Sequence, residues 1–437
     1  MNKQILTTIF YILIFTGCKK EANTNDISVN MPISGKSNRF VSSNPNENFG
    51  YCVSLSADGN TAIAGSFQTD AADSGTAYIY TRSGSNWNFQ KSLLGFSFAS
   101  SIASQANQGI SVDISDDGNA AIVGAVGDQA NILSTAFIYH RVGSVWTQDT
   151  IIISGLNYTI LCDENSVSIS GDGNTALVKA YDDNTNLSVV LIYSKVSGIW
   201  TRTNVITVEP SNLLVEAGSI QISSDGNIIA IVKKYPTISG IGYNGKIDVY
   251  KRAGSNWFKE GLNLEPGPGN PDDYEFGRSI SLSFDGSVIM AGFTGALNPS
   301  SLWSAGGVYV IKGSLGVWAQ YGKITNDIST TQFDDIGNSV SISNLGYEVA
   351  VGGNTRSDGG PTLSRKNVIF YYKYDSPSLS WKKQGDYIID NNSNPLSNSD
   401  NVFGYALSIS GDGNTILAGN AGTSNVTKVG HIIFFYR

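Results

Sequence analysis

The chain has 437 residues, more than most single domains, so we expect either several domains or one large repetitive fold. Charged residues make up only 15% of it and Gly occurs 48 times, which disfavours long surface helices and favours many short strands joined by turns. The net charge is −8, and no Lys/Arg cluster follows the first twenty residues, so a nucleic-acid partner is disfavoured because its phosphates would be repelled.

The N-terminus has the pattern of an export signal. Lys3 precedes a largely apolar run over residues 5–15, which is too short to cross a bilayer as a helix. Residues 15–18, Phe-Thr-Gly-Cys, resemble the lipobox of bacterial lipoproteins, and this resemblance implies a lipid on Cys18. We therefore predict a signal peptide over residues 1–17 and a flexible tether over residues 18–30, anchored to a membrane without spanning it. The alternative is a plain secretory signal with an incidental cysteine.

A turn of the type Ser-x-Asp-Gly recurs along the rest of the chain at intervals of 53 to 67 residues. In every copy a serine stands three residues before the glycine, and apolar residues stand four and six residues before it. Period-two alternation of this kind predicts a β-strand, and the Asp-Gly-Asn that often follows suits a tight hairpin. The seven glycines are Gly59, Gly118, Gly173, Gly226, Gly286, Gly346 and Gly413.

Each unit continues with further strands. A second apolar strand follows the turn, a third strand is rich in aromatic and aliphatic residues, and a Trp opens the fourth in six units. Four antiparallel strands in each of seven units predict an all-β fold, a seven-bladed β-propeller with four-stranded antiparallel blades. A solenoid of seven sheets is the competing architecture.

The two ends of the chain favour the propeller. The seventh unit ends after its third strand, and residues 31–42 match a fourth strand: Met31 stands 28 residues before Gly59, as Trp318 stands 28 before Gly346. We therefore predict a propeller domain over residues 31–437 in which residues 31–42 form the outer strand of the last blade. This closes the ring and removes exposed sheet edges.

The repeat resembles the FG-GAP repeat of bacterial surface proteins and, more distantly, the propeller of the integrin α-subunit. Phe49-Gly50, Phe276-Gly277 and Phe403-Gly404 match the FG element, and Gln108-Gly109 and Ile336-Gly337 are weaker copies. The GAP-like element includes Ala64-Gly65-Ser66, Val123-Gly124-Ala125, Ala291-Gly292-Phe293, Val351-Gly352-Gly353 and Ala418-Gly419-Asn420. Units 3 and 4 depart from it, with Lys179 and Lys233 in place of the central glycine. The integrin-type repeat often holds Ca²⁺, which needs several converging oxygen ligands. The short turns here carry one carboxylate each, so we expect no cofactor. The alternative is an ion bound by the acidic clusters Asp70/Asp73 or Asp272/Asp273/Glu275.

The sequence offers no catalytic constellation. His140 and His431 fall within predicted strands, and three cysteines and two histidines, all dispersed, give no zinc spacing. We expect Cys52 and Cys162 to be buried small residues. Aspartates that recur in nearly every unit are turn formers. The unrepeated acids, which we expect to be solvated loop residues, are Glu47, Asp163, Glu164, Asp182, Asp183, Asp272, Asp273, Asp334 and Asp335.

Strand order assigns the loops to two faces. The strand 1–2 and 3–4 turns are short and share one face, here called the short-turn face. The 2–3 and 4–1 connections vary in length and share the opposite, variable-loop face, where recognition is expected. Trp303 and Tyr243 are aromatic residues of these loops that break the repeat, and they are our candidate ligand-binding residues. Packing against their own loops is the alternative.

These observations predict a non-catalytic, monomeric binding or adhesion module of the bacterial cell envelope, lipid-anchored at the outer membrane or cell surface. Its partner would be a protein or a carbohydrate. The alternatives are an enzyme acting on polysaccharide through unrepeated loop carboxylates and a purely structural envelope role.

Overall fold

A computed structural model of the 437-residue chain describes most of the propeller domain. The described residues are 36–42, 47–68, 75–94, 107–127, 134–153, 157–208, 215–236, 243–266, 275–294, 306–325, 333–356, 365–385, 387–389, 403–421 and 430–436. The predicted signal peptide, Cys18 and the tether lie outside them.

The described residues form β-strands joined by turns. In chain order the strands are β1 (Lys36–Val41), β2 (Glu47–Leu55), β3 (Thr61–Gln68), β4 (Thr76–Ser83), β5 (Asn86–Leu93), β6 (Gln108–Ile114), β7 (Ala120–Ala125), β8 (Thr135–Val142), β9 (Val145–Ile153), β10 (Tyr158–Ile160), β11 (Val167–Ile169), β12 (Thr175–Asp182), β13 (Leu187–Val196), β14 (Ile199–Thr207), β15 (Glu216–Ile222), β16 (Ile228–Pro236), β17 (Tyr243–Ala253), β18 (Asn256–Leu264), β19 (Ile280–Leu282), β20 (Val288–Phe293), β21 (Gly307–Ser314), β22 (Val317–Ile324), β23 (Phe333–Ile342), β24 (Glu348–Arg356), β25 (Arg365–Asp375), β26 (Ser380–Lys383), β27 (Ile388–Ile389), β28 (Ala406–Ile409), β29 (Thr415–Asn420) and β30 (His431–Tyr436).

These strands form seven antiparallel sheets, which confirms the predicted seven-bladed propeller. The innermost strands β2, β6, β11, β15, β19, β23 and β28 lie beside one another in a closed ring. Two blades differ in detail from four simple strands. The inner strand of blade 3 is interrupted, so β10 and β11 both pair with β12, and the outer strand of blade 6 is split into β26 and β27.

The N-terminal strand closes the last blade, as predicted. β1 pairs with β30 in antiparallel register from Lys36 opposite Tyr436 to Val41 opposite His431. Asn38 also links this blade to blade 1, because its side-chain oxygen accepts a hydrogen bond of 3.1 Å from the backbone nitrogen of Trp87. The Trp87 ring stacks on Phe434 with centroids 3.8 Å apart. The seventh interface is therefore packed like the others. Residues 31–35 of the predicted strand lie outside the description.

The hydrophobic core is divided among the blade interfaces. Seven clusters of buried residues each combine apolar side chains from two adjacent blades, and the cluster between blades 7 and 1 includes Phe49, Leu417 and Phe434. Because each sheet buries both faces against its neighbours, its middle strands are nearly continuous apolar runs such as that of β20.

Paired glycines allow the blades to approach closely. A Cβ atom on Gly65 would lie 2.0 Å from the carbonyl oxygen of Gly109 in the next blade. The same contact joins Gly292 to Gly337, Gly352 to Gly404 and Gly419 to Gly50, at 1.9, 2.2 and 2.0 Å. The first glycine of each pair belongs to the GAP-like element and the second to the FG-like element. The two motifs are thus the two halves of one interblade contact.

A ring of backbone hydrogen bonds closes the short-turn face. Each strand 1–2 turn donates to the corresponding turn of a neighbouring blade: Ala57 to Asp116, Asp116 to Gly171, Gly171 to Ser224, Asp225 to Phe284, Phe284 to Asn344, Asn344 to Gly411 and Gly411 to Ala57, at 2.8 to 3.0 Å.

The recurring aspartates are turn formers, as expected. Asp172 accepts hydrogen bonds from the Ser170 hydroxyl and the Asn174 backbone, at 2.5 and 2.9 Å. Burial alone would raise the pKa of this carboxyl, but these hydrogen bonds lower it below its ordinary value.

Candidate binding cavity on the propeller axis

A cavity of about 440 Å³ lies on the propeller axis, lined by residues from the inner strands of all seven blades. It occupies the end of the axis where these strands begin, because its lining reaches from Gly50 to Ser54 in blade 1 and over equivalent positions elsewhere. The inner strands start at the variable-loop face, so the mouth of the cavity opens there. A concave site of this size is typical of small-molecule and ligand-end recognition.

The floor of the cavity is a belt of polar side chains. The residue five before each turn glycine is Ser in five blades, Asp113 in blade 2 and Gln221 in blade 4. Six of these side chains accept a hydrogen bond from the next blade's backbone. The six hydrogen bonds, each given with its backbone donor first and its side-chain acceptor second, are 2.9 to 3.3 Å long: Leu55 to Ser408, Ile169 to Asp113, Ile222 to Ser168, Leu282 to Gln221, Ile342 to Ser281 and Ile409 to Ser341.

Asp113 is the one carboxyl in this belt. Its two oxygens accept hydrogen bonds from the hydroxyls of Ser54 and Ser168 and from the backbone of Ile114 and Ile169, at 2.8 to 3.0 Å. Burial raises the pKa of Asp113 in spite of these four donors. Because its acceptor sites are already used, the Asp113 side chain acts as an interblade clamp.

The mouth of the cavity is where the blades differ. Eight residues before the turn glycine, blades 1 and 7 carry Tyr51 and Tyr405, whereas blades 3, 5 and 6 carry Asn165, Arg278 and Asn338. The mouth therefore has an aromatic side, formed by the adjacent blades 7 and 1, and a polar side, formed by blades 3, 5 and 6. A structural role shared by all blades would call for one residue type, so this variation shows that the position has no such shared role.

Tyr51 reaches across the mouth to blade 3. Its hydroxyl donates a hydrogen bond of 2.5 Å to Glu164, and its ring contacts Phe67 edge-to-face with centroids 4.4 Å apart. Burial and the nearby Glu164 carboxylate raise the pKa of Tyr51, so its hydroxyl stays protonated as a donor. The pair combines an aromatic face with an anionic acceptor at the cavity entrance.

Two residues with left-handed backbone hold the polar side in place. Asn165 has φ of 55° and Glu275 has φ of 54°, a conformation that residues other than Gly rarely adopt. The Asn165 backbone oxygen accepts from the Ile220 nitrogen at 3.2 Å. Glu275 lies 3.6 Å from the Arg278 guanidinium and accepts a hydrogen bond of 2.8 Å from the Thr294 hydroxyl. Backbone strain of this kind is often concentrated at functional sites.

The departures of blades 3 and 4 from the repeat place lysines close to this polar side. Lys179, which replaces a GAP-like glycine, is buried and pairs with Asp163, the residue before Glu164. Lys233 is also buried, and its ammonium lies 2.9 Å from Asp248. Burial, then repulsion by Lys179, lowers the pKa of Lys234. Lys179 and Lys233 thus form charged pairs in the two blades that lack the GAP-like glycine.

The residues predicted from the sequence have mixed outcomes. Trp303 lies outside the described residues, and Tyr243 begins β17 opposite Pro236 with only its backbone described. Both stay predictions as ligand contacts. Cys162 is buried as expected, but Cys52 is only half-buried and lines the cavity.

The histidines are strand residues, as expected. His140 lies in β8, 2.5 Å from Asp149, and His431 is buried in β30. Of the unrepeated acids, Asp163 and Glu164 are exposed loop residues, as expected, and they also pair with Lys179 and Tyr51. Asp70, Asp73, Asp272 and Asp273 lie outside the description, as do the side chains of Glu47, Asp334 and Asp335.

The sequence reasoning did not single out the cavity residues Tyr51, Arg278 and Tyr405, and it named Glu164 only as one of the unrepeated acids. The signal was present, because the position eight before each turn glycine changes character from blade to blade while its neighbours repeat. Within the ranges that the structure describes, no three His, Cys, Asp or Glu side chains are grouped as metal ligands would be. The same ranges contain no helix long and apolar enough to cross a membrane.

Comparison with known proteins supports the fold alone. No protein-family model and no curated protein matches the sequence. Similar solved structures include the Dos1 propeller, with 13% identity over 91% of this chain and 93% of that one and a TM-score of 0.51. Hydrazine synthase of Kuenenia stuttgartiensis has 13% identity over 89% and 96%, also with 0.51. A GH74 xyloglucanase from Xanthomonas campestris has 12% identity over 90% and 55%, with 0.49.

Proposed function

We propose that the protein is a non-catalytic binding module of the bacterial envelope that recognises a carbohydrate at the mouth of the axial cavity. The observation that carries this proposal is the unrepeated mouth, with Tyr51 and Tyr405 on one side and Glu164, Asn165 and Arg278 on the other. Trp303 and Tyr243, which the sequence predicts on the same face, would extend the contact.

The chemistry of the mouth suits a sugar ring. Aromatic side chains provide flat apolar faces, and carboxylate, amide and guanidinium groups provide acceptors and donors for hydroxyls. A protein partner would use a broader and flatter surface than a concavity of about 440 Å³. A chain end or single residue of a glycan fits such a cavity better.

A glycan-array screen with the chain from Lys19 onward tests the proposal. We expect a carbohydrate ligand whose affinity falls at least tenfold in Glu164→Gln and in Arg278→Gln. Lys382→Gln, an exposed position on the outer strand of blade 6, is the matched control and should bind normally. Trp303→Ala and Tyr243→Ala measure the contribution of the variable loops. A ligand that is bound equally by both cavity variants would refute the cavity as the site.

An enzyme acting on polysaccharide is the alternative, and it requires two acids converging on one bond. Glu164 reaches the mouth, but Asp113 is engaged by four donors in the floor. Incubation of the identified glycan with the protein should release no new chain ends. Cleavage that is lost in Glu164→Gln would establish the enzyme instead.

The proposed envelope location depends on the lipid predicted at Cys18. Cys18→Ala should move the full-length protein from the membrane to the soluble fraction of the producing cells, and mass spectrometry of the native protein should show the added acyl chains. Unchanged fractionation would refute lipidation without bearing on the cavity.

A further inference from the structure

The short-turn face, opposite the cavity mouth, carries a set of exposed aliphatic side chains. They lie at the strand 3–4 turns of blades 2, 3 and 5, and their exposed fractions range from 52% to 101%: Val142, Val145, Val196, Ile199, Leu315 and Val317. Leu379 occupies the equivalent turn of blade 6 and is 70% exposed. Exposed apolar groups shared among several turns of one face indicate an interaction surface.

The fold does not require apolar residues in these turns. Blades 1 and 4 build the same turn with polar or small residues, since Asn86 and Asn256 stand where blades 2, 3 and 5 have Val145, Ile199 and Val317. In every one of these blades a Trp follows at once and packs inward. The exposed aliphatic side chains are therefore an addition to the turn and not part of its construction.

The strand 1–2 turn of blade 6 gives an independent indication on the same face. Leu345 replaces the turn-forming aspartate and Tyr347 replaces the following asparagine. This turn thereby lacks the hydrogen bonds that Asp172 makes in blade 3. Leu345 is 76% exposed and Tyr347 is 49% exposed, and Phe284 in the neighbouring turn of blade 5 is 45% exposed. Tyr347 stacks on Tyr374 with ring centroids 6.1 Å apart, whereas Leu345 breaks the local rule and stays largely exposed, which suggests a function.

The chain enters the propeller at this face. Lys36 lies opposite Tyr436, and the Tyr436 hydroxyl donates a hydrogen bond of 2.6 Å to the Ser85 carbonyl in the strand 3–4 turn of blade 1. Residues 19–35 separate Lys36 from Cys18. The predicted tether over residues 18–30 would therefore join the propeller on this side, so a lipid on Cys18 would hold the short-turn face near a membrane.

We propose that the short-turn face docks on a lipid surface, with its aliphatic tips inserted among the headgroups and the cavity mouth directed away. The inference rests on the proposed lipid anchor for its biological setting. The tips lie in two groups separated by the polar turn of blade 4, blades 2 and 3 in one and blades 5 and 6 in the other. A planar bilayer can contact both groups at once. Tyr347 adds an aromatic side chain of the kind enriched at membrane interfaces.

Co-sedimentation with phosphatidylcholine vesicles tests the docking, using the chain from Lys19 onward. This chain lacks Cys18 but retains the closing strand β1, so the result does not depend on lipidation. We expect binding that changes little between 0.1 and 0.5 M salt, because apolar insertion and not charge drives it. The combined variant Val145→Asn, Ile199→Asn and Val317→Asn copies the turns of blades 1 and 4 and should bind at least tenfold more weakly.

The reverse exchange, Asn86→Val with Asn256→Val, should strengthen vesicle binding severalfold, and the thermal midpoint of both variants should stay near that of the parent chain. Absence of vesicle binding by the parent chain, or equal binding by the triple Asn variant, would overturn the proposal. A dimer in solution that the triple variant abolishes, without vesicle binding, would assign the face to a second copy of the chain and overturn it as well.

Discussion

The carbonyl oxygen of Gly109 occupies the space next to Gly65 that a side chain would need, 2.0 Å from the position of a Cβ atom. The contact repeats at three other blade junctions. It explains why, at these four junctions, a GAP-like glycine in one blade accompanies an FG-like glycine in the next.

We predict that Gly65→Ala lowers the free energy of unfolding by about 3 kcal/mol, because the added methyl group forces two backbones apart. Chemical denaturation measures this change. Gly322→Ala is the matched control, since a Cβ atom on this strand glycine would meet nothing closer than 4.0 Å. Equal stability of the two variants would mean that blades 1 and 2 are not packed as described.

Closure of the ring makes Asn38 a structural residue of blade 1 as well as of blade 7. We predict that Asn38→Ala lowers the free energy of unfolding by about 1–2 kcal/mol, because the Trp87 backbone nitrogen loses its acceptor. Ser37→Ala, at an exposed position of the same strand, should have little effect. Urea denaturation monitored by Trp fluorescence distinguishes the two, and an unchanged midpoint for Asn38→Ala would contradict the closure by β1.

Asp113 should make stability depend on pH. Its pKa is raised by burial, so the folded state binds its proton more tightly than the unfolded state does, and stability falls as pH rises above about 4. Asp113→Ser copies the belt residue of five other blades and removes this titration. We predict that the variant gains stability relative to the parent chain between pH 4 and 7. A constant difference over that range would refute the assignment.

The turn of blade 6 offers a gain in stability. Leu345→Asp restores the repeated aspartate and its hydrogen bonds, and we predict that it raises the free energy of unfolding by about 1 kcal/mol. Asp412→Leu makes the opposite exchange in blade 7 and should lower it by a similar amount. Calorimetric melting of both variants measures the pair. Destabilisation by Leu345→Asp would show that Leu345 packs on its surroundings.

Much of the fold could be predicted because the same sequence pattern occurs seven times. The alternation before Gly59 and its equivalents assigned the inner strands, and the spacing of Met31 to Gly59 anticipated the pairing of β1 with β30. The interruption of the inner strand in blade 3 was not predicted. Cys162, Asp163 and Glu164 replace the FG-like element there, but the alternating apolar residues that follow them show the same pattern as in the other blades.

The site was harder to predict than the fold, because it consists of the positions that do not repeat. Loop aromatics such as Trp303 stand out in a sequence, whereas Glu164 and Arg278 are ordinary polar residues until the ring brings blades 3 and 5 around one axis. Tyr51 and Glu164 are separated by 113 positions, and only the closed arrangement of inner strands explains their hydrogen bond.

The position of a bound glycan in a crystal of the complex tests the central proposal most directly. We predict density for a sugar residue in the axial cavity, against Tyr51 or Tyr405, with hydroxyls within hydrogen-bond distance of Glu164 or Arg278. A glycan bound on the outer strands or on the short-turn face, with the cavity holding only solvent, would contradict the proposal.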